Sequence, residues 1–252
     1  MLNKVPQVTL IFWVIKILST TVGETGADYL AKHVGLGTAI TGGIMAALLL
    51  IALVLQLRMR RYVPWIYWLT VVLVSVVGTQ ITDVLTDKLG ISLYVSTAVF
   101  AAALAATFAA WYAVEITLSI HTIVTMRREL FYWLAILLTF ALGTAAGDLA
   151  TEALGLGFNL GVLVFAGLIA LIALAYRLGA NPVLTFWLAY ILTRPLGASL
   201  GDLLSQAREY GGLGLGTAYT SLAFLAVIVS LVVFLSFGSE KKADPGLITG
   251  RA

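Results

Sequence analysis

Residues 12–28 read FWVIKILSTTVGETGAD, an apolar run interrupted by charged and hydroxyl side chains. Four of these, Lys16, Thr20, Glu24 and Asp28, recur at steps of four. A step of four turns about 40° past a full circle of an α-helix, so the four side chains form one slanted stripe. Two carboxylates and a lysine are costly against lipid, and we therefore expect the stripe to face protein or a water-filled cavity.

The composition is that of a membrane protein. Of 252 residues, 61% are hydrophobic and 11% are charged, and the mean hydropathy is +1.03. A soluble domain carries roughly 25% charged residues. Cysteine is absent, which excludes disulfides, thiolate metal sites and cysteine nucleophiles. No basic patch for nucleic acid is present, so the expected partners are the lipid bilayer and a small ion or polar solute.

Hydropathy predicts an all-α, polytopic protein with eight transmembrane helices. The predicted spans are 7–30, 38–57, 65–87, 92–114, 130–152, 159–176, 183–205 and 215–237. They form a single transmembrane domain over residues 1–237. The polar residues 238–252 are expected to be a cytoplasmic tail.

Basic residues outside the spans are distributed unequally between the two sides. One side holds Lys4, Arg58, Arg60, Arg61, Arg127, Arg128, Arg177, Lys241, Lys242 and Arg251. The other side holds Lys32, Lys88 and Arg208. The positive-inside rule therefore predicts that both termini are cytoplasmic.

The spans follow an internal repeat of two. Each odd span, which we term a motif helix, opens with an aromatic pair: Phe12-Trp13, Tyr67-Trp68, Tyr132-Trp133 and Phe186-Trp187. Ten residues after each tryptophan comes a glycine: Gly23, Gly78, Gly143 and Gly197. Five residues later comes an aspartate: Asp28, Asp83, Asp148 and Asp202. The pattern predicts four parallel helical hairpins, approximately 7–57, 65–114, 130–176 and 183–237, with the motif helices inside.

Three stretches carry a resemblance to a known family: GETGAD at 23–28, GTAAGD at 143–148 and TRPLGASLGD at 193–202. With the four tandem two-span units, they resemble a bacterial membrane-protein family catalogued as a repeat of unknown function. The resemblance covers the chain up to the polar tail. It implies an eight-span layout and a location in the bacterial inner membrane, and it supplies no reaction.

The four motif aspartates lie about 22 Å from their tryptophans along each helix. If the tryptophans form an aromatic belt at the cytoplasmic interface, the aspartates lie near the outer headgroups. One interpretation is a carboxylate ring at an outward mouth, which concentrates cations. The alternative is that each aspartate is an ordinary helix-end residue, hydrogen-bonded to a neighbour.

Two charges break the repeat. Glu24 has Thr79, Thr144 and Ala198 as counterparts, and Arg194 has Thr20, Ser75 and Phe140. Arg194 lies about 10 Å past Trp187, near the bilayer centre, so it needs a partner, for which Glu24 is the natural candidate. The pair is either a structural lock between the first and fourth repeats or the centre of a substrate or proton site. Lys16 either joins this site or extends to the cytoplasmic interface.

These observations predict a small transporter, of a cation by preference, with protonation of Glu24 as the coupling step. Its site residues are Lys16, Thr20, Glu24, Asp28, Thr79, Asp83, Thr144, Asp148, Arg194 and Asp202. Carboxylates and hydroxyls suit protons, sodium or hard divalent ions, and the identity of any metal stays open, as does the oligomeric state. No cofactor and no enzyme activity are expected. The alternative is a non-transporting scaffold or sensor whose buried charges only specify helix packing.

Overall fold

The computed structural model describes residues 3–29 and 37–243, without the side chains of residues 27, 28, 38, 39, 87 and 238–243. Every regular element in these ranges is helical, which confirms the all-α part of the prediction. The α-helices are α1 (Leu10–Asp28), α2 (Gly37–Arg58), α3 (Pro64–Asp83), α4 (Leu93–Glu115), α5 (Met126–Asp148), α6 (Gly157–Arg177), α7 (Pro182–Ser205) and α8 (Thr217–Ala243).

Hydroxyl or amide caps set where three of the motif helices begin, and α3 begins at Pro64 without a side-chain cap. The hydroxyl of Thr9 accepts from the backbone of Phe12, and Asn181 caps α7 in the same way. The hydroxyl of Thr125 caps α5, so this helix begins at Met126, four residues before the predicted span. At their other ends, α3 and α5 each continue into one π-helical turn directly after the motif aspartate, Val84–Lys88 and Leu149–Ala153.

Seven helices in the described part of the chain are long and apolar enough to cross a membrane. They are α2 to α8, and their number agrees with a multi-pass membrane protein. The helix outside this set is α1, which carries Lys16 and Glu24 among its described side chains.

The motif helices form the interior of the protein. In α3, α5 and α7, 61% of the most apolar stretch is buried, against 22% in α2 and α4 and 11% in α6 and α8. The described side chains of α1 include Ile15, Ser19 and Thr20, all of them fully buried. We refer to α1, α3, α5 and α7 as the inner bundle. The outer helices expose leucine, valine and alanine, as lipid-facing helices do.

An aromatic layer joins the beginnings of the four motif helices. In each repeat the first aromatic residue of the pair contacts the tryptophan of the next repeat. The four contacts are Phe12–Trp68 at 5.6 Å, Tyr67–Trp133 at 5.5 Å, Tyr132–Trp187 at 6.3 Å and Phe186–Trp13 at 5.7 Å between ring centroids. The last contact returns to the first helix, so the layer is closed. We call this end of the inner bundle the tryptophan end and the opposite end the aspartate end.

The expectation that the tryptophans form a lipid-facing belt was wrong. Trp68, Trp133 and Trp187 are buried, and Trp13 is half-buried. Their rings pack against the neighbouring motif helix because tilted and edge-to-face aromatic contacts are available there. The aromatic layer therefore closes the tryptophan end of the bundle.

The motif glycines hold the inner bundle together by close approach, as small residues do in membrane helices. A Cβ added to each glycine would meet the side chain three residues before the glycine of the next repeat. It would lie 2.6 Å from the Cβ of Ser75, 2.7 Å from that of Phe140, 2.5 Å from that of Arg194 and 2.5 Å from that of Thr20. These contacts join α1 to α3, α3 to α5, α5 to α7 and α7 back to α1.

Each outer helix covers the motif helix that follows it in sequence. Helix α2 packs on α3, α4 on α5 and α6 on α7, while α8 packs on α1. The contact between α8 and α1 includes a hydrogen bond of 2.6 Å between the hydroxyls of Thr25 and Ser221. The outer helices thus connect successive repeats, and the last one closes the circle.

An N-terminal strap crosses the tryptophan end. Lys4 Nζ donates to Glu129 Oε2 at 2.6 Å and to the carbonyl of Leu57 at 3.0 Å. Gln56 Nε2 donates to the other oxygen of Glu129 at 3.0 Å. The backbone of Tyr62 also donates to the carbonyl of Asn3. Burial raises the pKa of Tyr62 above its ordinary value, against the effect of the hydrogen bond from Trp68.

Substitution of a motif glycine should destabilise the inner bundle. In Gly78→Ala the new methyl group would lie 2.7 Å from the Cβ of Phe140 and 3.3 Å from the backbone of Ala141, so a helix must move. We expect a loss of about 1–3 kcal/mol of unfolding free energy in detergent, measured by tryptophan fluorescence. Gly167→Ala on α6 is the matched control, since no atom lies within 4 Å of its added Cβ. Equal stability of the two variants would contradict the close approach.

Removal of Lys4 should also be costly, because it leaves the carboxylate of Glu129 buried without a counter-ion. We expect Lys4→Met to lower the unfolding free energy by about 3–5 kcal/mol. Adding Glu129→Gln should recover much of this loss, since the amide carries no charge. Lys88→Met alters an exposed lysine at the aspartate end and should leave stability unchanged. A Lys4→Met protein as stable as Lys88→Met would show that the strap does not contribute to stability.

Candidate functional site

The candidate site lies in the layer that directly follows the motif glycines. Its four positions, one from each motif helix, are Glu24, Thr79, Thr144 and Ala198. Thr79, Thr144 and Ala198 are buried, and the side chain of Glu24 is 16% exposed. The close approach of the helices excludes lipid from this layer, so its polar atoms need partners within the protein.

Arg194 and Glu24 form a direct ion pair in the interior, as the sequence predicts. Arg194 is fully buried, and its Nη2 lies 2.6 Å from Glu24 Oε2. The same nitrogen donates to the hydroxyl of Thr79, which in turn donates to the carbonyl of Ser75 at 3.1 Å. The pair links the fourth repeat to the first and, through Thr79, to the second.

The guanidinium of Arg194 is only partly satisfied. Its Nε and Nη1 are buried and have no hydrogen-bond partner among the described residues. An arginine has five N–H donors in a fixed planar arrangement, and here one nitrogen, Nη2, makes the contacts to both Glu24 and Thr79. The guanidinium therefore has N–H donors that neither Glu24 nor Thr79 accepts.

Lys16 lies in the interior and does not extend to the interface, which corrects that alternative. The side chain is buried, and its Nζ lies 3.8 Å from the ring centroid of Phe140 and 4.3 Å from that of Tyr190. These are cation–π distances, and such contacts stabilise a desolvated ammonium. Lys16 is also within electrostatic range of Arg194, so two basic groups share the interior.

Two of the predicted threonines donate hydrogen bonds to carbonyl groups of their own helices. The hydroxyl of Thr20 donates to the carbonyl of Lys16 at 2.6 Å, and that of Thr144 donates to the carbonyl of Phe140 at 2.9 Å. Both residues are buried. Thr20 also forms the contact surface for Gly197. Thr79 is thus the predicted threonine that the structure brings to Arg194.

The motif aspartates lie at the opposite end from the aromatic layer. Asp83, Asp148 and Asp202 are half-buried, and the side chain of Asp28 lies outside the described residues. The carboxyl group of Asp148 interacts electrostatically with Glu24 and Arg194, and also with Glu152 and Asp83. The structure therefore connects one motif aspartate to the central ion pair.

The charged residues of the inner bundle change from basic in the interior to acidic toward the aspartate end. Lys16 and Arg194 are fully buried basic residues, and Glu24 is the carboxylate in contact with Arg194. The half-buried aspartates follow toward the aspartate end. Within the described ranges, no group of three or more histidine and acidic side chains has a geometry suited to a metal ion.

Sequence reasoning missed the residues that surround Lys16. Phe140 occupies the repeat position of Arg194, and Tyr190 occupies the repeat position of Lys16. The alignment of the repeats names Phe140 as the counterpart of Arg194, but it does not indicate that either ring faces Lys16. It also missed the pairing of Lys4 with Glu129, since Glu129 precedes the repeated motif and has no counterpart that signals it.

A cavity of about 580 Å³ lies away from the ion pair, at the tryptophan end. Its lining includes Trp13 and Phe186 of the aromatic layer, together with Ile169 of α6, Gln7 and His121. Neither Glu24 nor Arg194 lines it. This cavity and the central charges are therefore separate features.

The central ion pair should show strong energetic coupling. Either Glu24→Gln or Arg194→Met leaves the partner charge without its counter-ion in the interior. We therefore expect each single variant to lose about 3–5 kcal/mol of stability and the double variant to lose less than the sum. A double-mutant cycle on unfolding in detergent measures the coupling.

The matched control is the pair of Arg127 with Glu115, because the side chain of Arg127 is 69% exposed. Its cycle should give a weaker coupling, because Arg127 reaches solvent although the side chain of Glu115 is only 8% exposed. Additive losses for Glu24→Gln and Arg194→Met would mean that the two side chains do not interact.

Comparison with known families matches the whole set of repeats. The family described as Repeat of Unknown Function (DUF347) matches four segments, residues 11–62, 66–117, 131–179 and 185–240. Each segment begins within or directly before the aromatic pair of one motif helix. Comparisons with curated proteins and with solved structures found no match.

Proposed function

Because this chain belongs to the Repeat of Unknown Function (DUF347) family, whose description names no activity, we propose a function from its own charged interior. The protein is a small integral-membrane transporter of a small cation. The cargo or a coupling proton binds Glu24. When neither is bound, Arg194 pairs with Glu24 as an internal cation. Asp28, Asp83, Asp148 and Asp202 form the mouth through which the cargo approaches.

In this proposal all eight helices cross the bacterial inner membrane, as four two-span units in parallel orientation. Both termini are cytoplasmic, because ten of the 15 basic residues lie on that side of the predicted spans and three on the other. The remaining two are Lys16 and Arg194, inside the bundle. The tryptophan end then faces the cytoplasm and the aspartate end faces outward.

The observation that carries the proposal is the buried ion pair between Arg194 and Glu24. A buried pair often gives less stability than apolar residues of the same volume would, because both charges lose their hydration. The other repeats fill the two equivalent positions with threonine, alanine, serine or phenylalanine. Intramembrane charges of this kind commonly mark ion and substrate pathways.

The two ends of the bundle fit a state that is closed at the tryptophan end and accessible from the aspartate end. The aromatic layer closes the tryptophan end, and the Lys4–Glu129 strap lies across the same end. At the aspartate end the carboxylates are half-buried, and Glu24 keeps a small exposed fraction. Access from the mouth to Glu24 followed by opening of the aromatic layer would give alternating access to one central site.

A scaffold remains the second candidate function, and the glycine contacts favour it. The same close approach that buries Arg194 also packs the inner bundle tightly. If the ion pair only locks the first repeat to the fourth, charge-free substitutions that keep the fold should keep the function.

Flux into proteoliposomes tests the transporter. A pH-sensitive dye inside reports proton movement while sodium, magnesium, manganese and small organic cations are offered in turn. We expect at least one cation to drive flux, and Glu24→Gln to lower that flux at least about tenfold, the effect of losing roughly 1.4 kcal/mol. Glu209→Gln, which changes an exposed glutamate at the aspartate end, should transport like the wild type.

Two outcomes would contradict the proposal. Folded wild-type protein that moves none of these cations would favour the scaffold. Equal flux through wild type and Glu24→Gln would keep transport and remove Glu24 from its mechanism.

A further inference from the structure

We propose that the inner bundle contains an anion-binding site between Lys16 and the unpartnered nitrogens of Arg194. The ligand is a small monovalent anion, such as chloride or a short carboxylate. The site itself follows from the burial, charge and donor geometry of Lys16 and Arg194. Only its link to the cation cargo rests on the proposed function.

The first observation is the free donor capacity of Arg194. The residue has no exposed surface, and its Nε and Nη1 have no partner among the described residues. A buried donor without an acceptor costs free energy, and the cost is larger for a charged group. The α5 backbone at Gly143 packs against the stem of Arg194, so the guanidinium cannot easily move away from the interior.

The second observation is the way Lys16 is held. The rings of Phe140 and Tyr190 are the contacts of its ammonium, at 3.8 and 4.3 Å to the centroids. Ring faces attract a cation but do not neutralise it. With Arg194 in electrostatic range, two basic groups share this part of the interior, and Glu24 is in contact with Arg194 alone. The carboxyl group of Asp148 also interacts with Arg194, whereas Lys16 has no carboxylate among its described contacts. An anion bound here would supply one.

Hydroxyl groups add neutral donors around the same positions. Tyr190, whose ring contacts Lys16, has a buried OH without a partner in the described structure, and so does Ser75. The hydroxyl of Ser75 lies against Gly23, the residue before Glu24, and the carbonyl of Ser75 accepts from Thr79, the threonine bonded to Arg194. Ammonium, guanidinium and hydroxyl donors are the groups that coordinate a small anion in a low-dielectric site.

The site would complement the cation cargo. When a cation takes the carboxylate of Glu24, Arg194 loses its counter-ion, and an anion beside Lys16 and Arg194 would replace it. The class of cargo would then be a cation together with a small anion, or a zwitterion that carries both charges. Binding of the anion alone does not depend on this step.

Thermal unfolding with anions tests the site. Purified wild-type protein is dialysed into sodium gluconate, and sodium chloride, nitrate, acetate or phosphate is added at constant ionic strength. Unfolding is followed by the fluorescence of the protein's own tryptophans. We expect a saturable rise of about 3 °C with chloride, nitrate or acetate. Phosphate, larger and more highly charged, should give a smaller rise.

Two variants and one direct measurement make the test decisive. Lys16→Met should abolish the rise, and Lys88→Met, which changes an exposed lysine, should keep it. Equilibrium dialysis with radioactive chloride on wild-type protein should give about one site per chain, and this does not require Lys16→Met to fold.

Absence of any anion-specific rise and of chloride binding would overturn the site, as would an unchanged response in Lys16→Met. The outcomes separate from those of the transport assay. Chloride binding without cation flux would keep this site and remove the transporter. Cation flux without anion binding would keep the transporter and overturn this site.

Discussion

Close approach of the four motif helices at Gly23, Gly78, Gly143 and Gly197 is the constraint on which the rest of the protein depends. Each glycine admits a side chain of the next repeat, and the fourth contact returns to the first helix. Lipid is thereby kept out of the layer around the motif glycines. A polar group inside that has no partner there is costly in a low dielectric.

This packing makes the charges that break the repeat informative about function. A bundle packed only by symmetry needs neither Glu24 nor Arg194, since the other repeats pack with neutral residues at both positions. The charges are nevertheless held at hydrogen-bond distance, and Lys16 is held between two rings. The interior therefore combines a tightly packed layer with groups that recognise small ions, which is why transport and scaffold make different predictions for charge-free variants.

Much of the fold was predictable because repetition carries spatial information. The equal spacing of Trp, Gly and Asp indicated four equivalent helices, and placing Arg194 near the bilayer centre identified Glu24 as its partner. The orientation of the tryptophans was not predictable, because amphipathic rings suit either a lipid interface or a neighbouring helix. The position of Lys16 stayed open between two alternatives for the same reason, since a long side chain reaches either way.

Disulfide trapping between α1 and α8 tests the closed circle of repeats most directly, and a chain without cysteine makes the result clean. The hydroxyls of Thr25 and Ser221 lie 2.6 Å apart, so Thr25→Cys with Ser221→Cys should form an intramolecular disulfide in membranes under mild oxidation. Thr25→Cys with Ser230→Cys, on the exposed face of α8, should not. Failure of the first pair to cross-link, or cross-linking only between chains, would contradict a bundle closed from the fourth repeat to the first.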